Sequence, residues 1–275
     1  MGKGFKQVFE IVNKYIVLAT PLILFSLISS VYLAASATGK VINIIVSIVL
    51  FVLMSAAFVA GWFNMVKLSV SNPDSREPNS LMKEFLPGVG EYFLPALGSF
   101  FNFFLLTALI VYICFILGAK YIGDPGVSAE ALSKALETAQ ALKAFLSGLS
   151  AEQLMKLNCW NLFLMSGLSF SYFLVILYLP AMFYKKKNPF VAFFYSIKDL
   201  FSKKIFKTIA LYLLIFFVNA FISVLSALFI GNVIMHFIIT LLNFYFITVA
   251  AVGIFYYYYK NFVEPQLGQN IDTRI

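Results

Sequence analysis

The sequence predicts an all-α membrane protein, a bundle of six transmembrane helices with interfacial helices on the cytoplasmic side and a helical insertion on the outer side. The 275 residues are 61% hydrophobic and only 12% charged, whereas soluble domains average about 25% charged residues. The charged residues are also clustered, so that long uncharged runs separate them. Each run exceeds the roughly 20 residues with which a helix crosses a bilayer.

The uncharged runs define the spans in order. Four of them predict one helix each, and a fifth, between Lys207 and Lys260, is long enough for two. The turn between these two helices is predicted at Gly231 and Asn232, the strongest turn signal near the middle of that run. The predicted spans are residues 15–37, 41–65, 93–118, 158–183, 208–230 and 233–258.

The distribution of positive charge predicts the orientation. With the N-terminus inside, the predicted inner segments hold three quarters of the 20 Lys and Arg residues. An excess of Lys and Arg marks cytoplasmic segments, so both termini are predicted to be cytoplasmic. Trp62 and Trp160 fall near predicted span ends, where tryptophan anchors helices in the membrane interface.

The N-terminus has an alternative interpretation. Lysines, an apolar run and the small residues 34–37 also resemble a secretory signal peptide with its cleavage site. The apolar run is longer than a typical signal-peptide core, so a retained first helix is favoured over a cleaved signal.

The stretch from Pro180 to Lys207 predicts an interfacial helix over residues 188–204. It contains seven lysines and one acid, Asp199. Asn188 is a good N-cap, and Pro189 suits the first helical position. Apolar side chains then recur at spacings of three and four, which predicts one apolar face on the helix. These side chains are Phe190, Phe193, Phe194, Ile197, Leu200 and Phe201. Flanking lysines are predicted at the inner membrane surface; they are Lys185, Lys186, Lys187, Lys203 and Lys204.

The outer segment 120–157 predicts a helical insertion. Ser128 is a helix start signal, and Ser150 with Gln153 fits a capping box that opens the fourth span. An apolar stripe at helical spacing runs between them from Leu132 to Leu149. The insertion is either a lid over the outer mouth or an ordered cap that packs on the bundle, and the cap is favoured because an apolar stripe seeks burial.

Three amides are predicted near the bilayer midplane. Asn102, Asn219 and Asn243 lie nine to eleven residues into their spans, about 15 Å deep at 1.5 Å per residue. Each should face the protein interior, since lipid offers no hydrogen bonds. The favoured interpretation is hydrogen bonding between helices. The alternative is a small polar site for an uncharged headgroup or solute.

Catalytic chemistry is not expected. No acid or base lies within a predicted span core, which argues against proton-coupled pumps. Two cysteines and one histidine cannot form a clustered zinc site, and no catalytic constellation or cofactor motif occurs. The lysines flank spans instead of forming a nucleic-acid stripe. Cys114 and Cys159 are predicted at similar depth near the outer face, either as a disulfide or as free thiols.

One stretch resembles a known group of proteins. The pattern P-x-x-F-x-K-x-x-N-P-F-x-A-F-x-x-S-I-K, which begins at Pro180, resembles the loop before the last two spans of poorly characterised six-helix bacterial and archaeal membrane proteins. The group includes the membrane domain attached to some glycerophosphodiester phosphodiesterases. The resemblance implies a six-span fold in a prokaryotic inner membrane. The outer segment 120–157 departs from the group, and the phosphodiesterase activity does not carry over.

Two functions follow from these patterns. The favoured one is a non-enzymatic scaffold or accessory subunit, which organises lipids or another subunit through its cytoplasmic interfacial helices. The alternative is a permease-like transport subunit for a neutral or lipidic substrate, in which residues 188–204 contact a cytoplasmic ATPase.

Overall fold

A computed structural model describes residues 2–36, 41–74, 77–229 and 231–266. Within these ranges the chain is helical and contains no strand. Six segments are long and apolar enough to cross a membrane. The predicted all-α fold class and the prediction of an integral membrane protein are therefore confirmed.

The helices follow the predicted spans closely and extend several of them. They are α1 (Gly2–Lys14), α2 (Ala19–Ser36), α3 (Val41–Ser71), α4 (Phe85–Tyr121), α5 (Ala129–Ala135), α6 (Ala139–Ser147), α7 (Ala151–Val175), α8 (Tyr178–Tyr184), α9 (Pro189–Leu200), α10 (Ile205–Leu228) and α11 (Val233–Tyr258). Short 3₁₀ turns cover Ile16–Leu18 and Pro78–Glu84, and a π-helix covers Tyr259–Val263.

The predicted fourth span is two helices. It breaks between α7 and α8, at Ile176 and Leu177. Pro180 explains the break, because it has no N–H to donate to the carbonyl of Ile176 one turn earlier. A new helix, α8, therefore begins at Tyr178, and the lysine-rich loop follows it.

The chain forms two compact units. The larger comprises Met1–Asn102 and Leu174–Ile275, and the smaller comprises Phe103–Phe173. The core of the larger unit is built from α1, α3, the start of α4, α8 and the C-terminal half of α11. In that unit α11 packs against α1, α3 and α10, and α8 packs against α3 and α9.

The N-terminal helix α1 belongs to this core. Val8, Val12 and Tyr15 are buried, and Val8 lies beside Gly253 of α11. The 3₁₀ turn that follows frees backbone carbonyls from regular helical bonding. One of them, on Leu18, accepts a 2.8 Å hydrogen bond from the Trp62 indole. Trp62 is therefore a buried core residue, and its predicted role as an interfacial anchor is wrong.

Two glycines let α4 approach its neighbours. A Cβ on Gly88 would lie 2.6 Å from Cβ of Asn64 on α3. A Cβ on Gly98 would lie 2.5 Å from Cγ of Pro189, the first residue of α9. The start of α9 therefore rests directly on the backbone of α4.

In the smaller unit, the insertion forms two short helices that pack on each other, α5 and α6. Ser128 caps α5 as predicted, and Thr138 caps α6 and so interrupts the predicted continuous stripe. The capping box before α7 is confirmed by reciprocal bonds, from Ser150 N to Gln153 Oε1 (3.0 Å) and from Gln153 N to Ser150 Oγ (3.2 Å).

The two cysteines are free thiols. Cys114 is buried beside Gly167, whereas Cys159 is exposed. Gly167 lies eight positions further along α7 than Cys159, which corresponds to about 12 Å at 1.5 Å per residue. The predicted similar depth of the two cysteines is therefore wrong.

Candidate functional site

The candidate site is the lysine-rich end of the larger unit, formed by α8, α9, the C-terminal ends of α3 and α11 and the π-helix. α9 begins as predicted. The Asn188 side chain accepts hydrogen bonds from the backbone N–H groups of Phe190 (3.0 Å) and Val191 (3.2 Å), and Pro189 occupies the first turn.

α9 packs on the protein through two small side chains and one leucine. Ala192, Ser196 and Leu200 are fully buried and lie on one face, since they are spaced by four residues. Phe190, Phe194 and Phe201 are 52%, 72% and 59% exposed. The remaining members of the predicted apolar face, Phe193 and Ile197, are half-buried at its edge. The structure therefore divides that face into a protein contact and an exposed aromatic row.

A shielded ion pair anchors the middle of this arrangement. Lys185 Nζ lies 2.9 Å from Asp199 Oδ2, and the two side chains are only 12% and 13% exposed. The same carboxylate oxygen accepts a 2.6 Å hydrogen bond from the Tyr258 hydroxyl. Lys185 also lies 5.4 Å from the centroid of the Tyr258 ring. α9, the preceding loop and α11 are thus tied together, and the single acid of the loop is neutralised internally.

The predicted surface lysines have different surroundings. Lys185 is turned inward, and so is Lys204, whose ammonium donates a 2.5 Å hydrogen bond to the Asn261 carbonyl and lies 5.1 Å from the Phe262 ring centroid. Lys186 and Lys203 are exposed. Lys187 is exposed and forms a 2.8 Å ion pair with Glu91 of α4.

We name the exposed part of this end the Phe/Lys surface. It consists of the aromatic row and of four exposed lysines that have no ion-pair partner among the described residues: Phe190, Phe194, Phe201, Lys186, Lys198, Lys203 and Lys207. The surface carries a net positive charge, because Asp199 is occupied by Lys185 and Tyr258.

A second charged group lies where α3, α4 and α8 meet. Lys67 Nζ donates a 2.8 Å hydrogen bond to the Tyr92 hydroxyl. The ammonium groups of Lys67 and Lys187 lie 5.3 and 5.7 Å from the Tyr92 ring centroid. The Tyr92 ring also stacks on Phe183 of α8, with centroids 4.2 Å apart.

A cleft of about 300 Å³ opens beside α1. Its lysines already have carboxylate partners on the cleft wall, with Lys14 at 3.6 Å from Asp74 and Lys260 at 2.6 Å from Glu264. The cleft therefore lacks a surplus of positive charge. Among the described residues no group of three metal-ligating side chains occurs.

The three amides predicted at the midplane have different surroundings. Asn102 is buried and donates a 2.8 Å hydrogen bond to the Tyr178 hydroxyl, which in turn donates to the Pro189 carbonyl at 3.0 Å. Asn219 is exposed, and Asn243 is half-buried. Within the described part of the chain no hydrogen bond joins the three side chains. Asn102 acts as a helix-to-helix link that holds the start of α9.

The sequence interpretation missed both charged groups. Lys67 and Glu91 have no part in the sequence interpretation, and Asp199 enters it only as a lone acid among lysines. Pairing with Tyr92, Lys187 and Tyr258 depends on contacts between residues far apart in the chain, for which no local pattern exists. No protein-family model, curated protein or solved structure matches this chain.

Proposed function

We propose that this integral membrane protein is a non-enzymatic scaffold or accessory subunit that gathers anionic lipids at its cytoplasmic face. The observation that carries the proposal is the Phe/Lys surface: an exposed aromatic row along the docked helix α9, with one unpaired lysine on that helix and three in the segments that flank it. The cytoplasmic assignment rests on the excess of lysine at this end.

The chemistry of the surface suits an anionic leaflet. A lysine near such a leaflet contributes about 1 kcal/mol, so the four unpaired lysines together supply roughly 4 kcal/mol. The rings of Phe190, Phe194 and Phe201 point away from the face that packs on the protein, so they are free to enter the acyl boundary. α9 needs no ordering step on binding, since Asn188, Gly98 and Asp199 already hold it in place.

Lipid composition around the purified protein tests this proposal. The protein is extracted in polymer-bounded bilayer discs, and the anionic fraction of the co-extracted lipid is measured by mass spectrometry. The test variant replaces Lys186, Lys198, Lys203 and Lys207 by Gln. A matched control replaces four of the five lysines predicted on the outer side, and therefore has the same change in net charge: Lys120, Lys134, Lys143 and Lys156.

The expected result is enrichment of anionic lipid for the wild type and for the outer-side control, and its loss for the test variant. Equal enrichment in all three would overturn the proposal. Co-purification from native membranes distinguishes the scaffold function from the permease-like function. An ATPase that co-purifies in stoichiometric amount would favour the permease-like function instead.

Depth labelling gives a second test. Single-cysteine variants at Phe194 and Ser202 are made in a background with Cys114 and Cys159 replaced by Ala, and each is modified with a polarity-sensitive fluorophore. Residue 194 should report an apolar environment and quenching by lipid-borne quenchers, and residue 202 an aqueous one. Equal water exposure at both positions would contradict the interfacial placement of α9.

A further inference from the structure

Lys67 is a half-buried lysine near the C-terminal end of α3. Its ammonium has three N–H donors, and one of them bonds to Tyr92. Among the described residues no carboxylate lies within 4 Å of this ammonium, since the nearby Glu91 is paired with Lys187 instead. Glu91 is near enough to attract Lys67 but is bonded to Lys187, so the half-buried charge of Lys67 is only partly balanced and its environment is incomplete.

The neighbouring charges increase this surplus. The ammonium groups of Lys67 and Lys187 both lie within 6 Å of the Tyr92 ring centroid, at 5.3 and 5.7 Å. The group therefore contains two ammoniums and one carboxylate, and has a net charge of +1. An anion that contacts both lysines would neutralise that charge and satisfy the remaining donors of Lys67.

The group is open on one side. The side chains of Lys187 and Glu91 are 63% and 43% exposed, whereas Tyr92 is buried beneath them. Lys187 immediately precedes the Asn188 cap of α9, and the exposed ring of Phe190 follows three residues later. An anion at this place would thus lie beside the apolar edge of the Phe/Lys surface.

We infer that Lys67 and Lys187 form a binding site for one phosphate group, carried by a lipid headgroup or present as free phosphate. A phosphate offers several acceptor oxygens, so it can bond to both ammoniums at once. Lys67 lies four residues before the end of α3, about 6 Å along the helix, which suits a headgroup at the membrane surface. The lipid source rests on the proposed function, because it requires this end of the protein to contact the leaflet.

Native mass spectrometry of the full-length protein in detergent tests the site. The protein is titrated with phosphatidylglycerol, and separately with inorganic phosphate as a competitor. The wild type should retain one lipid in preference to further ones. Lys67→Gln and Lys187→Gln should each weaken that first binding step at least about tenfold, since a hydrogen bond to a charged group is lost. Lys67→Arg should retain it.

Lys143→Gln, at an exposed lysine of α6, is the matched control and should leave the first step unchanged. Thermal unfolding in the same detergent identifies any variant that fails to fold, and Lys187→Gln, whose side chain is largely exposed, keeps the test decisive in that case. Displacement of the lipid by millimolar phosphate would identify free phosphate as a competent ligand, which also supports the site.

The inference is overturned if wild type and Lys67→Gln retain the lipid equally, or if the wild type retains neither lipid nor phosphate. Its failure is separable from failure of the proposed function. Loss of the single retained lipid with bulk anionic enrichment intact would remove only the site at Lys67. Retention of the single lipid with loss of the bulk anionic enrichment would instead contradict only the role of the Phe/Lys surface.

Discussion

The ion pair between Lys185 and Asp199 is the most shielded ion pair among the described residues, so its removal should destabilise the fold. Replacing Asp199 by Asn leaves Lys185 shielded, with its side chain only 12% exposed, and removes the charged acceptor of the Tyr258 hydroxyl. Breaking a buried pair by removing one partner costs about 3–5 kcal/mol. We expect about 3 kcal/mol, the lower end, because Lys185 keeps its contacts with the rings of Tyr258 and Phe262.

A double-mutant cycle measures this value. Unfolding is followed by circular dichroism against the mole fraction of dodecyl sulfate in mixed micelles, for the wild type, Asp199→Asn, Lys185→Gln and the double variant. The double variant should be more stable than Asp199→Asn alone, since neither charge is then left unpaired. Glu137→Gln, at an exposed acid of the insertion, serves as a control and should change stability by less than about 0.5 kcal/mol.

Two outcomes would refute this reasoning. If Asp199→Asn matches the wild type, the pair does not hold α9 in place. If the effects of the two single substitutions simply add, with a coupling free energy below about 0.5 kcal/mol, the two side chains act independently. In either case the firm docking of α9, on which the proposed lipid surface depends, would lose its main support.

The remaining predictions concern the contact between α4 and the start of α9, and two of the amides. Gly98→Ala should destabilise the protein by about 1–3 kcal/mol, because the new Cβ would meet Pro189 at 2.5 Å. Gly90→Ala is the control and should not destabilise the protein, because a Cβ there would have nothing within 4 Å. The same unfolding assay compares the two variants. Asn102→Leu should cost about 1–2 kcal/mol through loss of its buried hydrogen bond, whereas Asn219→Leu, at an exposed position, should be neutral or stabilising. Equal effects within either pair would contradict the assigned contacts.

The fold class was predictable because it depends on composition and on the lengths of uncharged runs. A bilayer demands about 20 apolar residues for each crossing, and this demand is visible in the chain without knowledge of any contact. The helix starts at Asn188 and Ser150 were predictable for a similar reason. A cap involves residues only two or three positions apart, so the local sequence contains both partners.

The docking of α9 was not predictable in the same way. Its apolar pattern correctly indicates a helix with large side chains on one side. The contact with the protein is nevertheless made by Ala192, Ser196 and Leu200, of which only Leu200 belongs to the predicted apolar face. Trp62 illustrates the same limit, because its buried hydrogen bond goes to a carbonyl 44 positions away.

The sequence by itself therefore determined the membrane environment, the number of spans and the position of the basic loop along the chain. These properties depend on hydrophobicity and charge along the chain. Only the tertiary structure decided which of the lysines are neutralised. Asp199 meets Tyr258 across 59 positions, and Lys67 meets Tyr92 across 25. Whether a charge is paired or unpaired depends on distances of a few ångströms between side chains, and such distances exist only after the helices have packed.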